Sequence, residues 1–100
     1  MASLNIQHPI TDLPTWLAAF SGFAEKRRLA GVLSETVRQP VGDDRFVVID
    51  LDFETVDQAT AFLQFLETAV WASNENSPAL AGTPDAKILE PVDFATQTLG

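Results

Sequence analysis

The stretch Arg45–Phe53 constrains the fold of this chain more than any other. Val47, Ile49, Leu51 and Phe53 fall on one side of an alternating pattern, and Phe46, Val48, Asp50 and Asp52 fall on the other. A period of two marks a strand, because successive side chains point to opposite faces. Phe46 and Val48 make the second side apolar as well. Such a strand needs cover from both directions, helices on one side and a second copy of the chain on the other. Asp50 and Asp52 on that second side must then reach the rim or find partners.

The other elements assemble around this strand. Leu4, Ile6, His8 and Ile10 alternate with Asn5 and Gln7, which predicts a first strand over 4–10. It stops at Thr11-Asp12-Leu13-Pro14, where Thr11 or Asp12 can cap a helix and Pro14 suits a first turn. Leu13, Trp16, Leu17, Phe20, Phe23, Ala24 and Arg27 recur at steps of three and four, predicting one amphipathic helix that Gly31 ends in a left-handed cap. Val32–Gln39 predicts a weaker strand, with Leu33 and Val37 opposite Val32 and Thr36, and Pro40–Asp44 a turn. Thr55 with Gln58 fits a capping box, opening a second helix whose stripe is Ala59, Phe62, Leu63, Leu66, Ala69 and Val70. That helix is expected to fray near Trp71. Ser73–Pro78 then reads as a loop, Gly82-Thr83-Pro84 as a turn and Ala86–Val92 as a last strand. The order β-α-β-β-α-β is the ferredoxin-like, α+β unit, a four-stranded antiparallel sheet with both helices on one face. All 100 residues are expected to form a single domain, with a core over 3–92 and a loosely held tail over 93–100.

Composition excludes whole classes of function. Fourteen acidic residues against six basic ones leave a net charge of −8, a surface that repels a phosphate backbone. The one basic cluster, Lys26-Arg27-Arg28, reads as a helix end favoured by the dipole. Neither nucleic acid nor an anionic membrane is therefore expected as a partner. Without cysteine there is no disulfide, zinc knuckle or thiol nucleophile. The start, Met1–Asn5, lacks a signal-peptide pattern, and no apolar run is long enough to span a bilayer, so a cytoplasmic protein is expected. Phosphate-loop, G-x-S-x-G and dinucleotide glycine patterns are absent from the sequence, which removes the NTPase, hydrolase and Rossmann readings.

The run His8-Pro9-Ile10-Thr11-Asp12-Leu13-Pro14-Thr15-Trp16, followed by Phe20, resembles the opening H-x-V-x-D-[FY]-x-x-W-x-x-x-F of a family of small bacterial proteins in the dimeric α+β barrel superfamily. Ile10 stands for the Val and Leu13 for the aromatic residue. Ala30-Gly31-Val32, Leu51-Asp52-Phe53, the Ala59, Phe62 and Leu63 set, and Ala79–Pro84 extend the likeness over His8–Val92. The resemblance implies a homodimer whose two sheets form a barrel, with a cavity between sheet and helices in each subunit. That superfamily includes cofactor-independent antibiotic biosynthesis monooxygenases, polyketide cyclases and haem-degrading enzymes. The haem-degrading members pair an Asn on the first strand with a Trp and a His on the second helix. Here Asn5 and Trp71 are loosely placed for such a set, and the second helix has no His.

His8, the sole histidine, shares a strand face with Leu4 and Ile6 and so points toward the helices. A neutral imidazole there could act as a catalytic base on a phenolic proton. Against that stands the plainer reading, that it bonds a backbone group or corner residue where the chain turns at Pro9. Trp16, Phe20, Phe62 and Trp71 are candidate pocket walls or plain core, and Arg27 could orient an anionic ligand through its fork of donors or lay its stem on the core with its head in water. Asp50 and Asp52 with Asp43 and Asp44 lack the further ligands a hard cation wants, so neither metal nor cofactor is expected. Two readings follow. In one, a small planar apolar molecule is bound, and oxidised or cyclised without a cofactor. In the other, the dimer serves protein interaction and its own side chains fill the cavity. Free space near His8 separates them.

Overall fold

A computed structural model describes residues 1–73 and 75–92, so Asn74 of the expected loop and the whole expected tail 93–100 lie outside the described residues. The elements are β1 (Ala2–Pro9), α1 (Leu13–Gly22), α2 (Ala24–Leu29), β2 (Ser34–Arg38), β3 (Phe46–Phe53), α3 (Val56–Phe65) with a π turn (Leu66–Val70), and β4 (Asp85–Leu89). Strands pair in the order β2-β3-β1-β4, all antiparallel, with the helices on one side. This is the ferredoxin-like arrangement.

The alternation in β3 and β1 is what builds the core. Val47, Ile49, Leu51 and Phe53 are buried opposite His8, Ile6, Leu4 and Ala2, and each large apolar side chain contributes about 1.5–3 kcal/mol. Phe62 and Ala59 of α3 close over this face. Thr55 and Gln58 exchange both hydrogen bonds of a capping box, and Asp12 caps α1 by accepting from the Thr15 amide at 2.8 Å.

Several boundaries differ from expectation. The stripe expected as one helix is two, because the chain leaves helical geometry at Phe23 (φ −102°, ψ 12°), just after Gly22, a poor helix former. Leu17 of that stripe faces solvent at 41% exposure. The second helix does not fray at Trp71: it widens, the Trp71 amide donating to the Leu66 carbonyl at 2.7 Å in a five-residue step. β2 and β4 are shorter than expected, and the pairing Val37 with Ile49 turns Glu35 and Val37 toward the helices, leaving Ser34, Thr36 and Arg38 on the open face. Gly31 does adopt the left-handed conformation, with φ 99°.

The open sheet face corrects the reading of β3 as apolar on both sides. Phe46 and Val48 are half-buried at one end only. Farther along, Asp50 accepts from Asn5 Nδ2 at 2.8 Å and pairs with Arg38 at 2.7 Å. Asp52 accepts from the Ser3 and Ser34 hydroxyls at 2.5 and 2.6 Å. These bonds hold the Asp52 carboxyl below its ordinary pKa. The carboxylates are thus satisfied within the chain, and most of this face is polar. Among the described residues no helix is long and apolar enough to cross a membrane, and no group of three His, Cys, Asp or Glu comes together as a metal site.

Candidate functional site

The helix-facing side of the sheet is not packed shut. α1 stands off from the sheet and from α3 at the backbone, and its Trp16 and Phe20 rings bridge the gap. The two rings stack at 4.8 Å between centroids, 19° apart. Beneath them lies a half-open, mainly apolar cavity with about 80 Å³ of free space. His8, Trp16, Phe20, Arg27, Phe62 and Trp71, scattered along the sequence, all line it. Ile6, Ile49 and Leu51 form the floor.

His8 stands at one end, 4% exposed, its ring tilted against Trp16 at 6.2 Å. Its Nδ1 lies 3.0 Å from the Pro9 carbonyl oxygen. A carbonyl only accepts, so the neutral ring carries its hydrogen on Nδ1 and a lone pair on Nε2. Nε2 has no partner among the described residues, yet no buried polar atom there is sealed off without one. His8 is among the residues that line the cavity. Burial lowers the His8 pKa below 6.5, outweighing the Pro9 bond that raises it, so the ring is neutral at pH 7.

The loop before β4 completes this end. It is fastened to the end of β1 by Thr11 N to Ala79 O at 2.9 Å, Ala81 N to Pro9 O at 3.2 Å and an Ile10–Leu80 bridge. Asn76 and Ser77 thereby join the lining, Asn76 donating from Nδ2 to the Ala69 carbonyl at 2.7 Å and Ser77 from its hydroxyl to the Val70 carbonyl at 2.8 Å. Neither residue was anticipated, because loop sequences carry no period that reveals which way they face.

Arg27 stands toward β2 and contradicts the expectation of a head in water. It is 5% exposed, with its guanidinium 3.6 Å from the Phe20 ring centroid. Nε donates to Glu35 at 2.5 Å, Nη2 to the same carboxylate at 3.4 Å, and Nη1 to the Phe20 carbonyl at 2.5 Å. A buried guanidinium needs such a partner. Glu35 was missed, although its alternation with Leu33 and Val37 offered the signal of a charge on an inward-facing position. Opposite β3 residues Val47 and Leu51, His8 and Glu35 sit about 13 Å apart along the strand at about 3.3 Å per residue. The cavity is apolar along its middle and polar at both ends.

No protein-family model and no curated protein sequence matches the chain. Solved structures do. A protein from Nitrosomonas europaea named as a candidate antibiotic biosynthesis monooxygenase superposes with a TM-score of 0.63 at 14% identity, covering 91% of this chain and 90% of its own. A dimeric ferredoxin-like protein from an uncultured marine organism gives 0.58 at 13% identity, over 92% and 96%. An uncharacterised NIPSNAP domain protein from Burkholderia xenovorans gives 0.60 at 16% identity, over 94% and 97%. Identities this low establish a shared ferredoxin-like fold and leave chemistry to the site itself.

Proposed function

We propose that the chain is a single-domain protein that binds a small, flat, largely apolar molecule between α1, α3 and the sheet. The ligand's hydroxyl donates to His8 Nε2. The observation that carries this reading is a neutral imidazole, its Nδ1 bonded to the Pro9 carbonyl, in the wall of unfilled apolar space. Side chains have not filled the cavity, which favours a ligand over the alternative of a purely structural core. Trp16, Phe20, Phe62 and Trp71 supply the flat walls, and the reading invokes no cofactor or metal. Partners are a second copy of the chain across the open sheet face and this ligand, not nucleic acid. The absence of cysteine suits the reducing cytoplasm, where the reading places the protein.

Electrostatics decide what His8 does. A base must stabilise the proton it takes, and burial here disfavours the imidazolium. His8 acts as an acceptor that orients the ligand, and proton abstraction of the kind needed for cofactor-free oxidation or cyclisation is confined to hydroxyls more acidic than phenol. Size is the second restriction. The free space is about half that of an apolar cavity of about 150 Å³ known to admit benzene. A ring therefore enters only as Trp71, half-buried in the wall, yields.

Thermal shift and tryptophan fluorescence with phenol and toluene test the reading. Phenol should raise the melting temperature and quench the emission. His8→Ala should weaken phenol roughly tenfold, since a hydrogen bond contributes about 0.5–1.5 kcal/mol, and leave toluene unchanged. Trp71→Ala should tighten both. Silence from wild type and Trp71→Ala toward both compounds would reject the pocket.

A further inference from the structure

Arg27 is a cation set into the wall of an apolar cavity, and its neighbours account for only part of its bonding capacity. A guanidinium offers five N–H donors. Among the described residues, Nε–H and one hydrogen each of Nη1 and Nη2 are engaged, by Glu35 and the Phe20 carbonyl. Two donors remain without a protein partner on a side chain that lines the cavity. An acceptor atom of a ligand would meet them there.

Glu35 decides which acceptor. Its carboxylate already balances the Arg27 charge, so this end of the cavity is polar without being cationic. A ligand carboxylate on Arg27 would leave water for an apolar wall beside a cation whose charge Glu35, itself 41% exposed and outside the lining, already balances, within a chain of net charge −8. A carbonyl oxygen accepts the same two N–H groups and brings no charge to be compensated. Phe20, stacked beneath the guanidinium, keeps the fork from turning away.

We propose that the Arg27–Glu35 pair makes the cavity selective for a neutral carbonyl compound, such as a small ketone, over a carboxylate of the same size, with Glu35 as the specificity-determining residue. This rests on the small-molecule reading above and adds its charge and acceptor chemistry.

Butan-2-one and propionate have the same number of heavy atoms and differ in charge, and five heavy atoms suit the free space. Both are titrated into the full chain at pH 7, followed by NMR at the Arg27 Nε–H resonance. Wild type should bind the ketone at least tenfold more tightly than propionate. Glu35→Gln, which leaves the guanidinium uncompensated, should bring propionate up at least tenfold and erase or invert that preference. Equal binding of the two by wild type, or an unchanged ratio in Glu35→Gln, would overturn the proposal while leaving the pocket intact. Should Glu35→Gln not fold, Arg27→Met serves in its place: it must lose the preference for the ketone, and retention of it refutes the assignment. If neither probe binds wild type and toluene binds Trp71→Ala, the carbonyl assignment falls alone. If nothing binds either protein, both readings fall.

Discussion

At the residue scale, the proposed site sets one neutral ring against one compensated cation. His8 is the only histidine, so it alone among the side chains has an ordinary pKa near 6.5. Its folded pKa lies below that value. In the unfolded chain it takes up a proton first as pH falls, so the native state loses stability from about pH 6.5 downward until the folded pKa is passed. Urea unfolding at pH 7.5, 6.5 and 5.5 should show this decline, and His8→Asn should flatten it. An unaltered slope in the variant would place the titration elsewhere. Asp52 acts in a separate window: its pKa is depressed below 3.8, so the stability it adds above that value is lost as pH falls through the folded pKa. The inward orientation of His8 was legible from its alternation with Leu4 and Ile6. The fate of Arg27 was not, because a stripe of spacing says that a side chain faces the core and nothing about which residue of another strand meets its head.

At the element scale, legibility followed period. β1 and β3 show a strict alternation over eight residues each and were readable almost to their ends. The break at Phe23 was invisible, because Trp16, Phe20, Phe23 and Arg27 keep steps of three and four straight across it. The π turn was hidden likewise: one extra residue in a turn leaves Leu66 and Val70 both facing inward. Two helix ends meet where neither announced it. A Cβ on Gly31 would come within 2.8 Å of Gln58 Nε2, the side chain that completes the α3 capping box. Gly31→Ala should therefore cost about 1–3 kcal/mol for the left-handed backbone and dislodge Gln58 as well. Thr55→Ala should cost about 1 kcal/mol by losing the cap. Denaturant melts of the two variants and their combination should show less than additive losses. Strict additivity would mean that the two ends are independent.

At the scale of the whole molecule, the proposed pairing of two chains rests on the open sheet face. Its larger apolar side chains are Phe46 and Val48 at one end and Leu89 of β4 near the other, and between them runs the ladder of Asp50 and Asp52 with their hydroxyl, amide and arginine partners. Two such faces would meet through a small dry patch flanked by polar, water-bridged contacts. Light scattering at micromolar concentration should give twice the chain's 10.9 kDa, and Val48→Arg should return it to the single-chain mass. A wild-type mass near 10.9 kDa would discard the pairing. The polarity of this face was readable only in outline, since the partners of Asp50 and Asp52 lie on β1 and β2 and depend on register. Within each molecule, the Pro9 carbonyl oxygen takes hydrogens from both the His8 ring and the Ala81 amide. One atom thus holds both the imidazole and the segment before β4, so a change that frees Ala81 from Pro9 would also loosen the hold on His8.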